Sequence, residues 1–224
     1  MQFVNIEGLD GSGKSTQIKL LQRYFQEHQI SYQYIHFPRT DSPVYGELIA
    51  KFLRGDLGKM DTVDPYLIAL LYAGDRNDAK SKINEWLSQD YLVLIDRYVY
   101  SNIAFQCAKL NDETEIKKLS DWIKYVEYEY FRIPKPDVEI FLDVPGGFTR
   151  KNLSKTRKGS DREYLQGKED IHEKDFTFQE QVRSIYHREL EKEQNFHLIK
   201  CYNEQEQMYD PETIKGKILT LIGR

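Results

Sequence analysis

Cysteine is nearly missing from this chain. Cys107 and Cys201 are the only two in 224 residues, and they show no metal-ligand spacing. The pair reads as two reduced thiols of a cytoplasmic protein. Excess positive charge is missing too. Against 36 acidic residues stand 32 basic ones, a formal net charge of −4, which argues against general nucleic-acid binding, where a basic stripe is expected. No apolar run approaches the ~18 residues that a membrane-spanning helix requires. The opening stretch Met1–Ile6 carries neither a basic n-region nor a cleavage site, so it is expected to be a buried strand and not a signal peptide. Internal repeats and low-complexity tracts are also absent.

What remains is a soluble globular balance, 40% hydrophobic and 30% charged. The length suits one domain over residues 1–224, with room for a large core. Short apolar runs alternate with helical patterns. Phe3–Ile6, Tyr32–Phe37, Tyr91–Ile95 with Asp96 at its end, Val138–Leu142 with Asp143 at its end, and Phe196–Lys200 read as strands. Helices are expected over Lys14–Phe25, Val44–Leu53 and Pro65–Leu87, the last with Leu67, Leu71, Ile83 and Trp86 on its apolar side, and again at the chain's end around Ile214, Ile218 and Leu221. Fully apolar strands separated by helices mean a parallel sheet covered on both faces, an α/β fold.

Between the first strand and the first helix lies Gly8-Leu9-Asp10-Gly11-Ser12-Gly13-Lys14-Ser15, which fits G-x-x-x-x-G-K-[ST]. Glycines there let successive amide N–H groups converge on phosphate oxygens, and the helix N-terminus adds its dipole. Lys14 would reach the β- and γ-phosphates of a nucleotide, and Ser15 would ligate Mg²⁺. The loop specifies a nucleoside triphosphate but not a reaction. Phe37-Pro38-Arg39 and Asp96-Arg97 each follow a predicted strand, at the carboxyl edge where ligands bind in such sheets. Two arginines at that edge suit an acceptor that is itself a phosphate. From Arg150 to Arg162 run six basic residues, Arg150, Lys151, Lys155, Arg157, Lys158 and Arg162, with the single acid Asp161; they form a candidate flap over a polyanion.

Over nearly its whole length the chain resembles the thymidylate kinase family. The motifs stand in that family's order: Ile6–Thr16, Phe37-Pro38-Arg39, Ala73-Gly74-Asp75-Arg76, Asp96-Arg97-Tyr98 with Ser101 and Gln106, Pro136-Asp137, Leu142-Asp143-Val144, then a basic lid. The resemblance implies a P-loop NTPase three-layer sandwich with a central five-stranded parallel sheet and a mobile lid at about residues 150–175. It implies transfer of the terminal phosphoryl of ATP to dTMP with Mg²⁺, in a homodimer. Gly8 to Thr16 would cradle ATP, and Arg150 would stack on adenine. Arg97 would bind the acceptor phosphate, with Arg39 helping to hold that phosphate or the sugar. Tyr72 would stack on the pyrimidine, Phe37 would pack beside it, and Arg76 and Asn102 would hydrogen-bond its edge, with Gln106 nearby. Phe105 would lie near the sugar, where bulk excludes a 2′-hydroxyl, and Asp10 would accept from the 3′-hydroxyl. Asp96 would hold Mg²⁺ through water.

Some family members carry a catalytic arginine inside the loop; here Gly11 follows Asp10, so the lid must supply the charge. Arg157 is the favoured residue, with Lys158 and Arg162 as alternatives. His172, in the polar Gly167–Phe176 stretch, is expected to be a solvated lid residue. A deoxynucleoside kinase would need a carboxylate base just after the second strand, where His36-Phe37-Pro38-Arg39 has none. A kinase of another pyrimidine monophosphate remains an alternative. No N-K-x-D guanine motif occurs, against a GTPase switch.

Overall fold

The computed structural model describes residues 2–60, 62–153, 160–168, 170–172 and 176–224, and of residues 160–162 the backbone alone. Its strands are β1 (Gln2–Gly8), β2 (Tyr32–His36), β3 (Leu92–Asp96), β4 (Val138–Asp143) and β5 (Phe196–Lys200). They form one parallel sheet in the order β2-β3-β1-β4-β5. The helices are α1 (Lys14–Glu27), α2 (Tyr45–Leu53), α3 (Pro65–Ser88), α4 (Val99–Cys107), α5 (Glu113–Lys124), α6 (Gly146–Leu153), α7 (Phe176–Leu190) and α8 (Pro211–Leu221). A π-helical turn, Tyr125–Tyr130, continues α5, and a 3₁₀ turn spans Ser160–Leu165.

Alternation along the buried strands divides the core. Val93 and Ile95 of β3 join Phe3 and Phe141 on the face covered by α3, α4 and α7. Leu92 and Leu94 join Val4, Ile6, Ile140 and Leu142 on the other face, under α1 and α8. Both faces are thus dry, as continuous apolar strands demand. Helix starts follow local chemistry: Asp64 accepts from the Tyr66 and Leu67 amides with Pro65 at the first helical position, and Asp210 accepts from Thr213 ahead of Pro211.

One expected apolar position is corrected. Leu67 is 62% exposed, whereas Ile68 and Ala69 are buried. The stripe of α3 that meets the core runs through Ala69, Ala73, Arg76, Ala79, Ile83 and Trp86. Leu67 lies two residues, roughly 200° of helix, away from it. No helix among the described residues is long and apolar enough to cross a membrane. Cys107 and Cys201 are free and buried, and burial pushes both thiols up to about 12.

Candidate active site

A cleft of about 1430 Å³ opens at the carboxyl edge of the sheet. Strand register builds it. Ile6 pairs with Asp96, so β1 and β3 end side by side, and β2 ends beside β3 through the pair His36–Asp96. The loop leaving β1, the Phe37-Pro38-Arg39 segment leaving β2 and Arg97 leaving β3 therefore share one opening. The Phe37–Pro38 peptide is cis.

The phosphate loop takes the expected form. Gly11 and Gly13 have φ of 76° and 91°, a region that favours glycine. Gly13 stands at the N-terminus of α1, and no side chain caps that helix. Its first-turn amides thus point at the cleft, as an anion site needs. Ser15 and Thr16 are exposed to the cleft, while Lys14 is buried against its floor. Burial and the nearby Arg97 charge push the Lys14 ammonium down to about 8, despite Asp96, Asp10 and Glu7 close by. Gly8 and Leu9 form the buried root of the loop and do not line the cleft.

Opposite the loop stands Arg97, whose φ of 67° is strained for a side chain of this size. Its Nη2 donates to Asp10 Oδ1 at 2.6 Å and its Nη1 to Ser101 Oγ at 3.2 Å. The guanidinium lies 5.0 Å from the centre of the Phe105 ring. Burial alone would raise the Asp10 carboxyl, but Arg97 and Lys14 outweigh it and hold the group below its ordinary value. Arg39 donates from Nε to Asp75 at 2.9 Å and from Nη2 to Asp78 at 2.7 Å. Deeper in, Arg76 makes a two-pronged bond to Glu127 and Asn102 donates to the same carboxylate. Phe37, Tyr72 and Phe105 line the walls, with Gln106 nearby accepting a bond from Lys109 Nζ at 2.6 Å.

Asp96 is buried, and its ionic neighbour is His36, Nδ1 to Oδ2 at 3.2 Å. Burial pushes its carboxyl up, but His36, Lys14 and Arg97 prevail and keep it ionised. Its Oδ1 is buried with no hydrogen-bond partner among the described residues. A hard anionic oxygen in a cleft that Ser15 also lines fits Mg²⁺, which usually takes only one or two protein ligands and leaves the rest to water and phosphates.

Besides Gly8 and Leu9, the structure departs from the sequence-based expectations for this site at His172 and Arg150 and leaves the lid arginine outside its reach. His172 is not solvated. It is 4% exposed, stacks on Phe178 at 5.4 Å, meets Phe105 at 5.1 Å and Phe52 at 5.5 Å, and lines the cleft. Burial, with Lys109 nearby, pushes its imidazole down to about 3, so it is neutral. Arg150 does not join the cleft; it is exposed and its guanidinium lies 4.9 Å from the Phe176 ring centre. Arg157 and Lys158 lie outside the described residues, as does the side chain of Arg162. Sequence reasoning missed Glu127, the Tyr164–Asp170 pair (2.8 Å) and Gln179, which donates to Asp10 Oδ2 at 3.2 Å. None of these carries a motif, because each meets its partner through the fold.

Comparison with known proteins gives the family and the fold. The thymidylate kinase family profile matches residues 6–210. The thymidylate kinase of Mycobacterium tuberculosis is 30% identical, the match covering 82% of this chain and 83% of that one. A probable thymidylate kinase of Thermococcus kodakarensis is 31% identical over 98% of this chain and 96% of its own. The solved thymidylate kinase of Candida albicans superposes with a TM-score of 0.72 at 24% identity, covering 99% of this chain and 91% of that one, which confirms the fold. The chain belongs to the thymidylate kinase family.

Proposed function

We propose that this cleft moves the γ-phosphoryl group of ATP onto dTMP, giving ADP and dTDP. Family membership supports the reaction, and one observation carries the choice of acceptor. Arg97 and Arg39 line the same cleft as Lys14, while Phe37-Pro38-Arg39, the stretch that leaves β2, offers no carboxylate; the first acid beyond it, Asp41, also lines the cleft. Arginine forks hold a phosphate; a hydroxyl acceptor would need a base instead. A phosphate monoester has its second pKa near about 6, so its oxygen is already nucleophilic at neutral pH.

In this reading the loop amides and Lys14 hold the β- and γ-phosphates. Arg97 aligns the acceptor phosphate, with Asp10 fixing the guanidinium and receiving the sugar hydroxyl. Tyr72 and Phe37 sandwich the base, Phe105 and Gln106 close the pocket, and Arg39 supports it from the rim. Ser15 and Asp96 would hold Mg²⁺, which neutralises charge on the phosphates when bound. The segment at about residues 150–175 would act as a lid within one domain of residues 1–224, and Arg157 would stabilise the transferring group, an effect of ~10³-fold or more in related chemistry. Arg150 packs on Phe176, which argues for a structural part in the lid rather than for adenine stacking. The working form would be a cytoplasmic homodimer; Leu67 and Leu70 of α3, exposed at 62% and 42%, offer it an apolar face.

An ADP-release assay across dTMP, dUMP, UMP, CMP and thymidine tests the acceptor. Turnover of thymidine without dTMP would overturn the proposal. Arg157→Ala should cut kcat with little change in dTMP affinity; an unchanged kcat would move that role to Lys158 or Arg162.

A further inference from the structure

Glu127 lies outside every motif, yet it is wholly buried and sits on the only π-helical turn among the described residues. Such turns are rare and recur at functional sites. Its carboxylate meets both side chains that face the inner end of the cleft. Oε2 accepts from Arg76 Nε at 2.5 Å and Oε1 from Arg76 Nη2 at 2.6 Å. Oε1 also accepts from Asn102 Nδ2 at 2.9 Å, and the Ala69 carbonyl accepts from the same nitrogen at 3.0 Å.

Both hydrogens of the Asn102 amide are therefore engaged. Turning the amide over would set its oxygen against a carboxylate and a carbonyl, three acceptors with no proton between them. The orientation is fixed, and Oδ1 is left buried, without a partner among the described residues, on a side chain that lines the cleft. Arg76, which also lines the cleft, makes no hydrogen bond through Nη1 among the described residues. The inner wall thus offers one acceptor beside one donor. A pyrimidine with a 4-oxo group and an N3–H matches both. A 4-amino pyrimidine, whose N3 is an acceptor, reverses both contacts and leaves buried groups unpaired, the situation that gives strong discrimination.

We infer that Glu127 is a positioning residue that sets the hydrogen-bonding polarity of base recognition, making the cleft take oxo-pyrimidine and refuse amino-pyrimidine nucleotides. The inference rests on the reading of this cleft as a nucleoside monophosphate site. In Glu127→Gln the new amide nitrogen has to face one of the donors that the carboxylate held, so the Arg76 fork loses one of its two acceptors and the fixed setting of Arg76 and Asn102 is loosened, Asn102 keeping the Ala69 carbonyl.

The test compares kcat and KM for dTMP, dUMP and dCMP in the native chain and Glu127→Gln, with ADP affinity as the control for folding. The native chain should prefer dTMP and dUMP to dCMP by ~10³-fold or more. In the variant this ratio should fall by ~100-fold, through KM for the oxo-pyrimidines, while kcat at saturating dTMP and ADP affinity stay within about threefold. An unchanged ratio, or equal losses on all three nucleotides, would overturn the inference. So would a native chain that does not discriminate. If Glu127→Gln fails to bind ADP, Glu127→Asp keeps the charge and Arg76 but withdraws the carboxylate by one methylene, and the dUMP to dCMP ratio is read there: a fall supports the inference and the native ratio overturns it. Failure of the native chain on all three monophosphates would instead sink the assignment of the cleft.

Discussion

His172 gives the fold a measurable sensitivity to acid. The imidazole is enclosed by Phe52, Phe105 and Phe178, and its Nε2 is buried without a partner among the described residues. Burial and Lys109 push its pKa down to about 3, against about 6.5 in an unfolded chain. The sign follows from proton counts. Below about pH 6.5 the unfolded chain binds a proton that the folded chain refuses, so stability is complete above that value and declines as pH falls toward 3. The difference amounts to about 2 kcal/mol at pH 5, nearly nothing at pH 7.5, and about 5 kcal/mol once pH 3 is passed. For a domain of this length, 2 kcal/mol corresponds to a Tm change of ~4–8 °C. Thermal melts at pH 7.5 and pH 5 of the native chain and His172→Phe provide the assay, since other titrating groups cancel between the two proteins. The native chain should lose ~4–8 °C more than the variant over that interval. Equal losses would refute the reasoning, as would an NMR titration of the His172 ring with a midpoint near 6.

Lys14 is held at about 8 by its burial and by Arg97, and a bound polyphosphate should restore its proton. ADP binding at pH 8 should therefore take up close to half a proton, and ADP affinity should fall as pH rises past that value; calorimetry in buffers of different ionisation enthalpy measures the uptake, and none would contradict the assigned environment. Gly74→Ala should destabilise the chain by about 1–2 kcal/mol in denaturant melts even though alanine is the better helix former. The new Cβ would stand 2.2 Å from the Tyr45 ring, where α2 and α3 are tightly packed. Val44 adopts φ 64° and ψ −77° in a three-residue turn closed by the Tyr45 amide on the Pro43 carbonyl, and its side chain is 64% exposed. Replacing it with glycine relieves a β-branched residue of that strain, so Val44→Gly should gain about 1 kcal/mol in the same melts; a loss would place the strain elsewhere.

How far the sequence can be read depends on how locally each residue is determined. β3 was the most legible strand because a strand buried on both faces is apolar nearly throughout, and it is buried at all five positions, whereas the edge strands β2 and β5 are mixed in sequence and only partly buried. The phosphate loop was legible because its chemistry lies in consecutive residues. Leu67 misled because α3 turns its amino-terminal leucines outward while Ile68 and Ala69 face the protein. His172 misled because its neighbours in sequence are polar, whereas its neighbours in space come from α2, α4 and α7. Glu127 was invisible because its partner Arg76 is 51 residues away. Gly74 and Asp75 read as part of a motif without a mechanism. The structure supplies one: the glycine admits the Tyr45 ring, and the aspartate accepts from both the backbone and the side chain of Arg39.

The two halves of the cleft are joined by a buried carboxylate that precedes the glycine loop. Glu7 is fully buried on β1. It accepts from the Tyr98 amide at 2.8 Å, the Ser101 amide at 3.1 Å, the Tyr186 hydroxyl at 2.9 Å, Asn5 at 2.9 Å and the Ser101 hydroxyl. Tyr98 offers α4 no side-chain cap, so Glu7 caps that helix from a different strand, satisfying amides that would otherwise be unpaired and placing negative charge at a helix N-terminus. The same helix carries Ser101, Asn102 and Phe105, and Arg97 immediately precedes it. The groups expected to meet the acceptor's phosphate, sugar and base therefore ride on one element. That element is pinned to the strand from which the ATP loop springs, one residue before Gly8. Asp10 makes the second link through its bond to Arg97. Two carboxylates three residues apart, Glu7 and Asp10, thereby tie the glycine loop to the element that carries Arg97, Asn102 and Phe105.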